Sequence, residues 1–132
     1  MLIGANSDIE SSIIANNNAV GDAAGADISG GINVVVVTGA NNLIIDVDAG
    51  VTVPVGTLHG DPMLASFLEN NGGPTQTLAV NANSPAIDAG NDVAGLPTDQ
   101  RGFARVAGAA ADIGAYELQN GSDEIFASGF EP

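Results

Sequence analysis

The sequence predicts an all-β protein, and within that class it favours a right-handed parallel β-helix. Between residues 9 and 55, short β-branched runs alternate with clusters of Asn, Gly and Asp, as expected for short strands joined by tight turns. Asn pairs recur at 17–18, 41–42 and 70–71, spacings of 24 and 29 residues that are typical of stacked solenoid coils. A β-sandwich spaces its turns similarly and stays open as the alternative fold.

Four runs in the first half have the length of ordinary strands, namely residues 12–15, 32–38, 43–45 and 51–55. The continuous valine run at 34–37 fits a strand covered on both faces, or one whose outer side chains meet a partner. It is far too short for a membrane helix, which needs about 20 apolar residues. The first half therefore predicts coils of strands and turns without long helices.

The second half predicts one or two short helical turns and a further strand at residues 75–80. Asp61 is placed as an N-cap before Pro62, and Ser84 precedes Pro85 in the same way. We therefore divide the chain into terminal β-helix coils (1–83), a closing cassette of the same domain (84–117) and a flexible acidic C-terminal tail (118–132).

The composition limits the possible partners. The 132 residues suit one domain, and 45% apolar residues suffice for its core. With two Arg, no Lys and sixteen Asp plus Glu, the formal net charge is -14. Nucleic acid and anionic lipid are poor partners, because polyphosphate affinity depends on cationic side chains. The chain has no Cys, so disulfides cannot stabilise it.

Both arginines, Arg101 and Arg105, lie in the closing cassette among acidic residues. A guanidinium can bind two carboxylates or several carbonyls at once, so it suits an irregular segment that must be fixed to the last coil. We predict structural ion pairs with nearby carboxylates, here Asp88, Asp99, Asp112 and Glu117. The alternative is an arginine acting as a base in a polysaccharide lyase with calcium, although arginine rarely loses its proton.

Metal and nucleophile signals are weak elsewhere. Asp46 and Asp48 share one side of a predicted strand and are the best calcium candidates, but calcium takes six to eight oxygens and a solvated turn is preferred. His59 has no second His or Cys beside it and no nucleophile motif to serve, so we expect a loop residue. We therefore predict no cofactor and no catalytic residues.

Four motifs in a fixed order, NNGGPTQTLAV, SPAIDAGN, TDQRGFAR and ADIGAYE, resemble the C-terminal region of bacterial secreted β-helix proteins of the choice-of-anchor Q type. The upstream SIIANN, GADISGG and NNLI segments look like the last coils of that group, so the resemblance spans residues 12–117. It implies a right-handed parallel β-helix, export, and attachment at or release from the cell surface. Because the chain begins in the middle of what looks like a repeat, we expect upstream coils of a longer parent protein as its partner. No common enzymatic activity belongs to the motifs.

The chain departs from that pattern at Leu96 and Ala111, near which many relatives carry a cysteine pair. If the correspondence holds, an apolar contact replaces a covalent one. The tail at 123–131 is similar to an ending of many exported Gram-negative proteins, which implies a sorting signal; two Phe also allow it to dock on the last coil. We expect a non-catalytic structural or adhesive module at the cell surface, with a cell-surface glycan as a further candidate partner. The alternative is a fragment of a lyase or glycoside hydrolase.

Overall fold

A computed structural model describes residues 5–17, 26–30 and 35–120 of the chain. Within these residues all regular structure is β, which confirms the predicted class, and no helix is formed. The five strands are β1 (Ala5–Asp8), β2 (Ile13–Ile14), β3 (Val35–Thr38), β4 (Leu43–Ile44) and β5 (Val51–Thr52). A membrane-crossing helix is likewise not found in the part of the chain that the structure describes.

The strands form two small parallel sheets. One has the order β1-β3-β5 and the other pairs β2 with β4. Ile13 lies opposite Leu43, and Leu43 in turn pairs in parallel with Leu58 through an isolated bridge. We call the paired segments 5–14, 35–44 and 51–58 the first, second and third rungs of a parallel ladder. Parallel pairing requires a crossover between partners, so each rung is reached through intervening chain.

The core lies where the second half of the chain packs on β4. Leu43 and Ile44 are neighbours in this strand and both are fully buried, so both faces of β4 are covered. Leu43 belongs to a cluster with cassette residues, and the other buried members are Val80, Ala86, Ile113 and Tyr116. The buried core is thus shared by the second rung, Val80 and the closing cassette.

Three of the predicted runs contain the shorter strands β2, β4 and β5. In the run at 32–38, β3 occupies 35–38, and residues 31–34 lie outside the described residues. β1 was not predicted, because residues 5–8 (ANSD) contain no β-branched residue. It forms by pairing with Val35–Thr38 in the second rung, which provides the backbone partners that its own sequence does not signal.

The predicted helical turns and the strand at 75–80 are wrong. Met63 has a φ of 51°, and its N–H donates to the Asp61 carboxylate at 2.8 Å, so the chain bends here and no helix starts. Leu64 then pairs antiparallel with Val80 in an isolated bridge. At the second site, Ser84 accepts the Ala86 N–H as a cap does, but residues 85–88 form hydrogen-bonded turns. An antiparallel bridge therefore lies next to the first predicted helical turn, and a hydrogen-bonded turn takes the place of the second.

Asn42 connects the first two rungs. Its buried side chain donates to the Ile9 carbonyl at 2.7 Å and accepts the Ser12 N–H at 3.0 Å. It therefore bonds the backbone of the neighbouring rung, and we see no stack of Asn on Asn at this corner within the described residues. Asn18, the corresponding member of the Asn pair at 17–18, lies outside the described residues.

Candidate functional site

The closing cassette lies along the side of the ladder. Gly114 N–H donates to the Ser11 carbonyl in the first rung at 2.9 Å, and Asn41 in the second rung donates its side chain to the Ala89 carbonyl at 2.9 Å. Leu58 of the third rung packs against the shared core cluster. A segment that covered only the last rung would not reach Ser11. The cassette therefore contacts all three rungs.

Arg101 lies at the centre of the cassette and is only 5% exposed. Its Nε pairs with Asp99 Oδ2 at 2.9 Å, and its Nη2 donates to the Glu117 carbonyl at 2.5 Å. The Nη1 atom donates to the carbonyl of Asn71, 30 residues earlier in the chain, at 3.3 Å. One guanidinium thus joins three separate segments.

Two aromatic rings flank the same guanidinium. Its Cζ atom lies 3.7 Å from the centroid of the Tyr116 ring and 4.8 Å from that of Phe103. Stacking of this kind suits arginine, whose planar group is more weakly hydrated than an ammonium. Gly73 permits the close approach of the neighbouring loop, because a Cβ there would lie 2.6 Å from the Arg101 Cα. Arg101 is enclosed on its faces as well as at its edge.

The Asp99 carboxylate is fully used. Oδ1 accepts the backbone N–H groups of Arg101 at 2.8 Å and Phe103 at 3.1 Å. Oδ2 accepts the Arg101 Nε and the backbone N–H of Glu117 at 3.2 Å. A carboxylate has about four acceptor sites, so this buried group has little capacity left for a ligand. Asp99 organises the turn around Arg101.

Arg105 forms the second ion pair. Its Nη1 lies 3.2 Å from Glu117 Oε2, and its Nη2 donates to the Asp112 carbonyl at 3.1 Å. The Glu117 carboxylate also accepts the N–H groups of Ala107 at 3.0 Å and Asp112 at 2.8 Å. Both side chains of the pair are at least nine-tenths buried. The pair therefore links the last residue of the cassette to its middle.

Burial raises the pKa of Glu117 above its usual value of 4.5. The backbone donors from Asp112 and Ala107 and the charge of Arg105 act in the opposite direction, whereas the negative charge of Asp112 adds to the rise. Desolvation is the largest effect, so the ionised form is less favourable here than in water. Hydrogen bonds hold the Glu117 carboxylate in place, although burial makes its ionised form less stable than in water.

Asp88 and Asp112 bind backbone. Asp112 accepts the N–H of Asp88 at 2.8 Å and that of Leu118 at 2.7 Å. Asp88, which is exposed, accepts the N–H of Ala110 at 3.0 Å. Of the four carboxylates predicted to pair with arginine, Asp99 and Glu117 form the side-chain ion pairs. Asp88 and Asp112 instead accept backbone N–H groups and so order the chain around them. Within the described residues, every buried side-chain nitrogen and oxygen has a hydrogen-bond partner.

The weak calcium candidates lie on the ladder. Asp48 accepts a hydrogen bond from the Ser29 hydroxyl, and the Asp46 N–H donates to Asp27 at 3.2 Å. In the described ranges, no group of three or more Asp, Glu, His or Cys is placed to hold a metal ion. His59 donates from Nδ1 to the Ile44 carbonyl at 2.8 Å, because a carbonyl only accepts. These residues link neighbouring segments.

The two positions at which the resemblance implies cysteines have different environments. Ala111 is buried, whereas the Leu96 side chain is 53% exposed. Such exposure does not fit a tightly packed apolar contact in place of a disulfide. The fixed points of the cassette are instead its charged and hydrogen-bonded groups.

A groove of about 440 Å³ lies beside the cassette. Its walls come from the first rung, the bridged segments around Leu64 and Leu78, and the cassette near Tyr116. The lining side chains are uncharged; they are Ser11, Ser12, Ile13, Leu64, Thr77, Leu78, Val80, Gln100, Ile113, Ala115 and Tyr116. Neither arginine is among them, but Tyr116, which stacks on Arg101, forms part of the groove wall.

Sequence reasoning missed three groups that hold Arg101: the Asn71 carbonyl and the rings of Phe103 and Tyr116. Carbonyl acceptors carry no sequence signal, because every residue has one. The rings did carry a signal. In a chain with 4% aromatic residues, two of them lie within fifteen residues of Arg101 in the same cassette.

Comparison of the chain with protein-family models, with curated proteins and with solved structures finds no match. The geometry of the candidate site must therefore be interpreted by its own chemistry. Two buried cations with satisfied partners form a rigid anchor. They offer no open face on which a substrate could contact both an arginine and a free carboxylate.

Proposed function

We propose that this chain is a non-catalytic structural or adhesive module of an exported bacterial surface protein. In this proposal residues 84–117 close the C-terminal end of a right-handed parallel β-helix and fasten its last coils. The observation that carries it is the burial of Arg101 and Arg105 in a satisfied network, within a segment that contacts every rung of the ladder. An anchor of this kind has a structural use and leaves no reactive group exposed.

The parallel pairings support the β-helix part of the proposal. The order β1-β3-β5 on one side matches the order β2-β4-Leu58 on a second side, and Ile28 pairs in parallel with Val47 on a third. A coil that passes the same sides in the same order is the arrangement of a β-solenoid. A sandwich of antiparallel sheets would not repeat parallel pairs in this way.

In this proposal the cassette protects the open end of a solenoid. Unpaired strand edges at the end of a stack invite pairing with other chains. Covering and fixing the terminal coils therefore limits aggregation and fraying. Because the cassette runs along the rungs, it also resists sliding of one coil over the next.

The enzymatic alternative, a polysaccharide lyase or glycoside hydrolase fragment, requires an arginine or a carboxylate pair within reach of a sugar. Both arginines are 8% exposed or less, and Asp99 and Glu117 are occupied by backbone donors. The acidic surface also disfavours polyuronates unless a cation bridges the charges. These facts favour the structural proposal.

A depolymerisation assay separates the two functions. The full chain would be incubated with a polyuronate and with a neutral polysaccharide, each with and without millimolar calcium, and the products analysed for chain length. We expect no shortening. Shortening that is lost in an Arg105→Met variant, which keeps its circular dichroism spectrum, would overturn the proposal in favour of the enzyme. Calorimetric titration with calcium would show heat of binding only under the calcium-assisted alternative.

Surface display is tested on cells. Intact Gram-negative cells carrying the parent protein would be treated with an external protease, and the chain followed with an antibody. We expect digestion without lysis, as an exported surface module requires. Protection in intact cells, with digestion only after lysis, would place the chain inside the cell and end this part of the proposal.

A further inference from the structure

We infer that Asn71–Gly72 is a site of spontaneous deamidation, which the folded loop keeps closed and which reacts when the loop opens. Asn followed by Gly occurs at two places in the chain, 71–72 and 120–121. Asn is a thermolabile residue, and a following Gly has no side chain to hinder the approach of its backbone nitrogen. The inference does not depend on the proposed function, because the reaction involves only this chain and water.

The reaction requires two neighbouring groups to meet. The backbone nitrogen of Gly72 loses its proton and attacks the side-chain Cγ of Asn71, so that a new C–N bond closes a succinimide ring. The bond from Cγ to the amide nitrogen breaks, and this nitrogen leaves as ammonia. Water then opens the ring at one of its two carbonyls and leaves an aspartyl or an isoaspartyl residue at position 71. The rate therefore depends on a free Gly72 N–H and on a side chain that can turn toward it.

Both reacting groups are held by hydrogen bonds in the folded protein. The Asn71 amide nitrogen donates to the carbonyl and to the hydroxyl of Thr77, each at 3.0 Å. Thr77 is buried, so these contacts are shielded from water. The Gly72 N–H donates to the Asn70 side-chain oxygen at 3.1 Å. Attack on Asn71 requires both sets of hydrogen bonds to break, and the folded loop therefore blocks the reaction.

The structure also requires this reactive pair at the loop. Gly72 has a φ of 94°, where a side chain is strained, and an added Cβ would lie 3.0 Å from the Phe103 ring. The Asn71 carbonyl accepts from Arg101 Nη1 at 3.3 Å, while its side chain is fixed to Thr77. The two residues that form the labile pair are thus the ones that hold the loop against Arg101.

Conversion at position 71 would release the loop from Arg101. An isoaspartyl residue adds a methylene group to the backbone, so the carbonyl that accepts from Arg101 must move. A carboxylate in place of the amide has no proton to donate and would face the Thr77 carbonyl. The reaction is irreversible, so a molecule that has opened and reacted cannot form the original contacts again.

Peptide mapping by mass spectrometry tests the inference, because deamidation raises the mass of the peptide that contains the site. The full chain would be kept in mildly alkaline buffer, once folded and once in denaturing urea. In urea we expect positions 71 and 120 to react at similar rates, since both are Asn-Gly pairs. In the folded protein we expect position 71 to react at least ~10-fold more slowly than in urea. Equal rates at position 71 in the two conditions, or no reaction there in urea, would overturn the inference.

Two variants test which contacts close the site. Asn70→Ala removes the acceptor of the Gly72 N–H, and Thr77→Val removes the hydroxyl that holds the Asn71 amide. Each should raise the rate at position 71 in the folded protein about three- to tenfold and leave the rate in urea unchanged. Folded-state rates that stay at the wild-type value in both variants would contradict the inference.

Matched controls separate these contacts from a general loosening of the chain. Asn81→Ala removes an equivalent side-chain acceptor, which receives the Asn83 N–H at 2.9 Å. Thr75→Val removes a neighbouring hydroxyl, which accepts from the Gln100 side chain at 3.0 Å. Neither contact involves the reacting groups, so position 71 should deamidate at the wild-type rate in both. An increase equal to that of the test variants would overturn the role given to the Asn70 and Thr77 side chains.

Asn71→Asp tests the consequence of the reaction, because it places the aspartyl product in the chain directly. We expect its melting point to lie about 4 °C or more below that of the wild type. Asn81→Asp is the control, since a carboxylate there can still accept the Asn83 N–H, and its melting point should be unchanged. A melting point of Asn71→Asp equal to that of the control would contradict the predicted release of the loop.

Discussion

The ladder and the closing cassette provide hydrogen-bond partners for their backbone groups in different ways. In the described residues between 5 and 58, backbone groups bond one another across parallel rungs, and no charged side chain is buried; Asp46, for example, is exposed. Between residues 84 and 117, all of which are described, no strand forms, and buried carboxylates accept the backbone N–H groups instead. In the ladder, backbone pairs with backbone and the buried side chains are mainly apolar. In the cassette, buried charged side chains are the partners of the backbone.

An irregular segment becomes ordered when its backbone donors find side-chain acceptors. Buried N–H groups need acceptors, and a chain without a regular ladder must find them in side chains. A carboxylate accepts several donors at once but brings a buried negative charge, which is costly unless it is paired. The two arginines supply the compensating charge. The cassette is therefore expected to be more sensitive to the loss of one polar group than the ladder.

The largest effect is expected at Asp99. Asp99→Asn keeps the size of the side chain but turns an NH₂ group toward donors and leaves Arg101 buried without its carboxylate. We expect a loss of about 3–5 kcal/mol in the free energy of unfolding. Denaturant titration measures it. Asp46→Asn removes the same charge from an exposed site on the ladder, and it should change stability by about 0.5 kcal/mol or less. Equal losses of unfolding free energy at the two sites would show that the cassette is no more sensitive to a lost charge than the ladder.

Leu43→Ala tests the apolar side of the comparison. The residue is fully buried between the second rung and the cassette, so its truncation leaves a cavity. We expect a loss of about 2–5 kcal/mol by chemical denaturation. The matched control is Leu96→Ala, because Leu96 is half exposed. A Leu43 variant as stable as the control would show that the cassette does not pack on β4.

Gly90→Ala tests how closely the cassette segments approach each other. A Cβ at position 90 would lie 2.5 Å from the Asp112 carbonyl oxygen, so the backbone must shift. We expect a cost of about 1–3 kcal/mol. At Gly60, the atom nearest to an added Cβ is Pro85 Cγ at 3.5 Å, an ordinary contact, so Gly60→Ala is the control. Thermal melting of both variants measures the difference, and a melting point unchanged by Gly90→Ala would contradict this packing.

The smallest effect concerns the pH dependence of Glu117. Its pKa is raised in the folded protein, so the folded state binds more protons than the unfolded state above pH 4.5. Its contribution to stability is therefore full at lower pH and falls as pH rises through the folded pKa. Glu117→Gln, which cannot ionise, should lack this fall. Denaturation at a series of pH values measures the difference, with the exposed Glu69→Gln as control. An advantage of wild type over Glu117→Gln that grows with pH would contradict the assignment.

Part of this arrangement was predictable. The position of two arginines among acids in one short cassette predicted structural ion pairs but not their burial, and β-branched runs predicted β2, β4 and β5. Which acid meets which arginine was not predictable: Asp99 is two residues from Arg101, but Glu117 reaches Arg105 only after the chain turns back. The prediction of a helical turn at Asp61 was wrong because it used only a local cap signal. The Leu64–Val80 bridge that forms there depends on residues distant in sequence.

Local signals and composition alone predicted the all-β class, some of the turns, the acidity and the cassette in which the cations lie. Those features follow from local backbone preferences and from composition, which need no knowledge of distant contacts. The tertiary structure decided that the cassette lies along three rungs, that Tyr116 and Phe103 enclose Arg101, and that β1 is a strand at all. Each of these depends on residues far apart in the chain. The contacts between them stabilise the protein only once folding has brought the segments together.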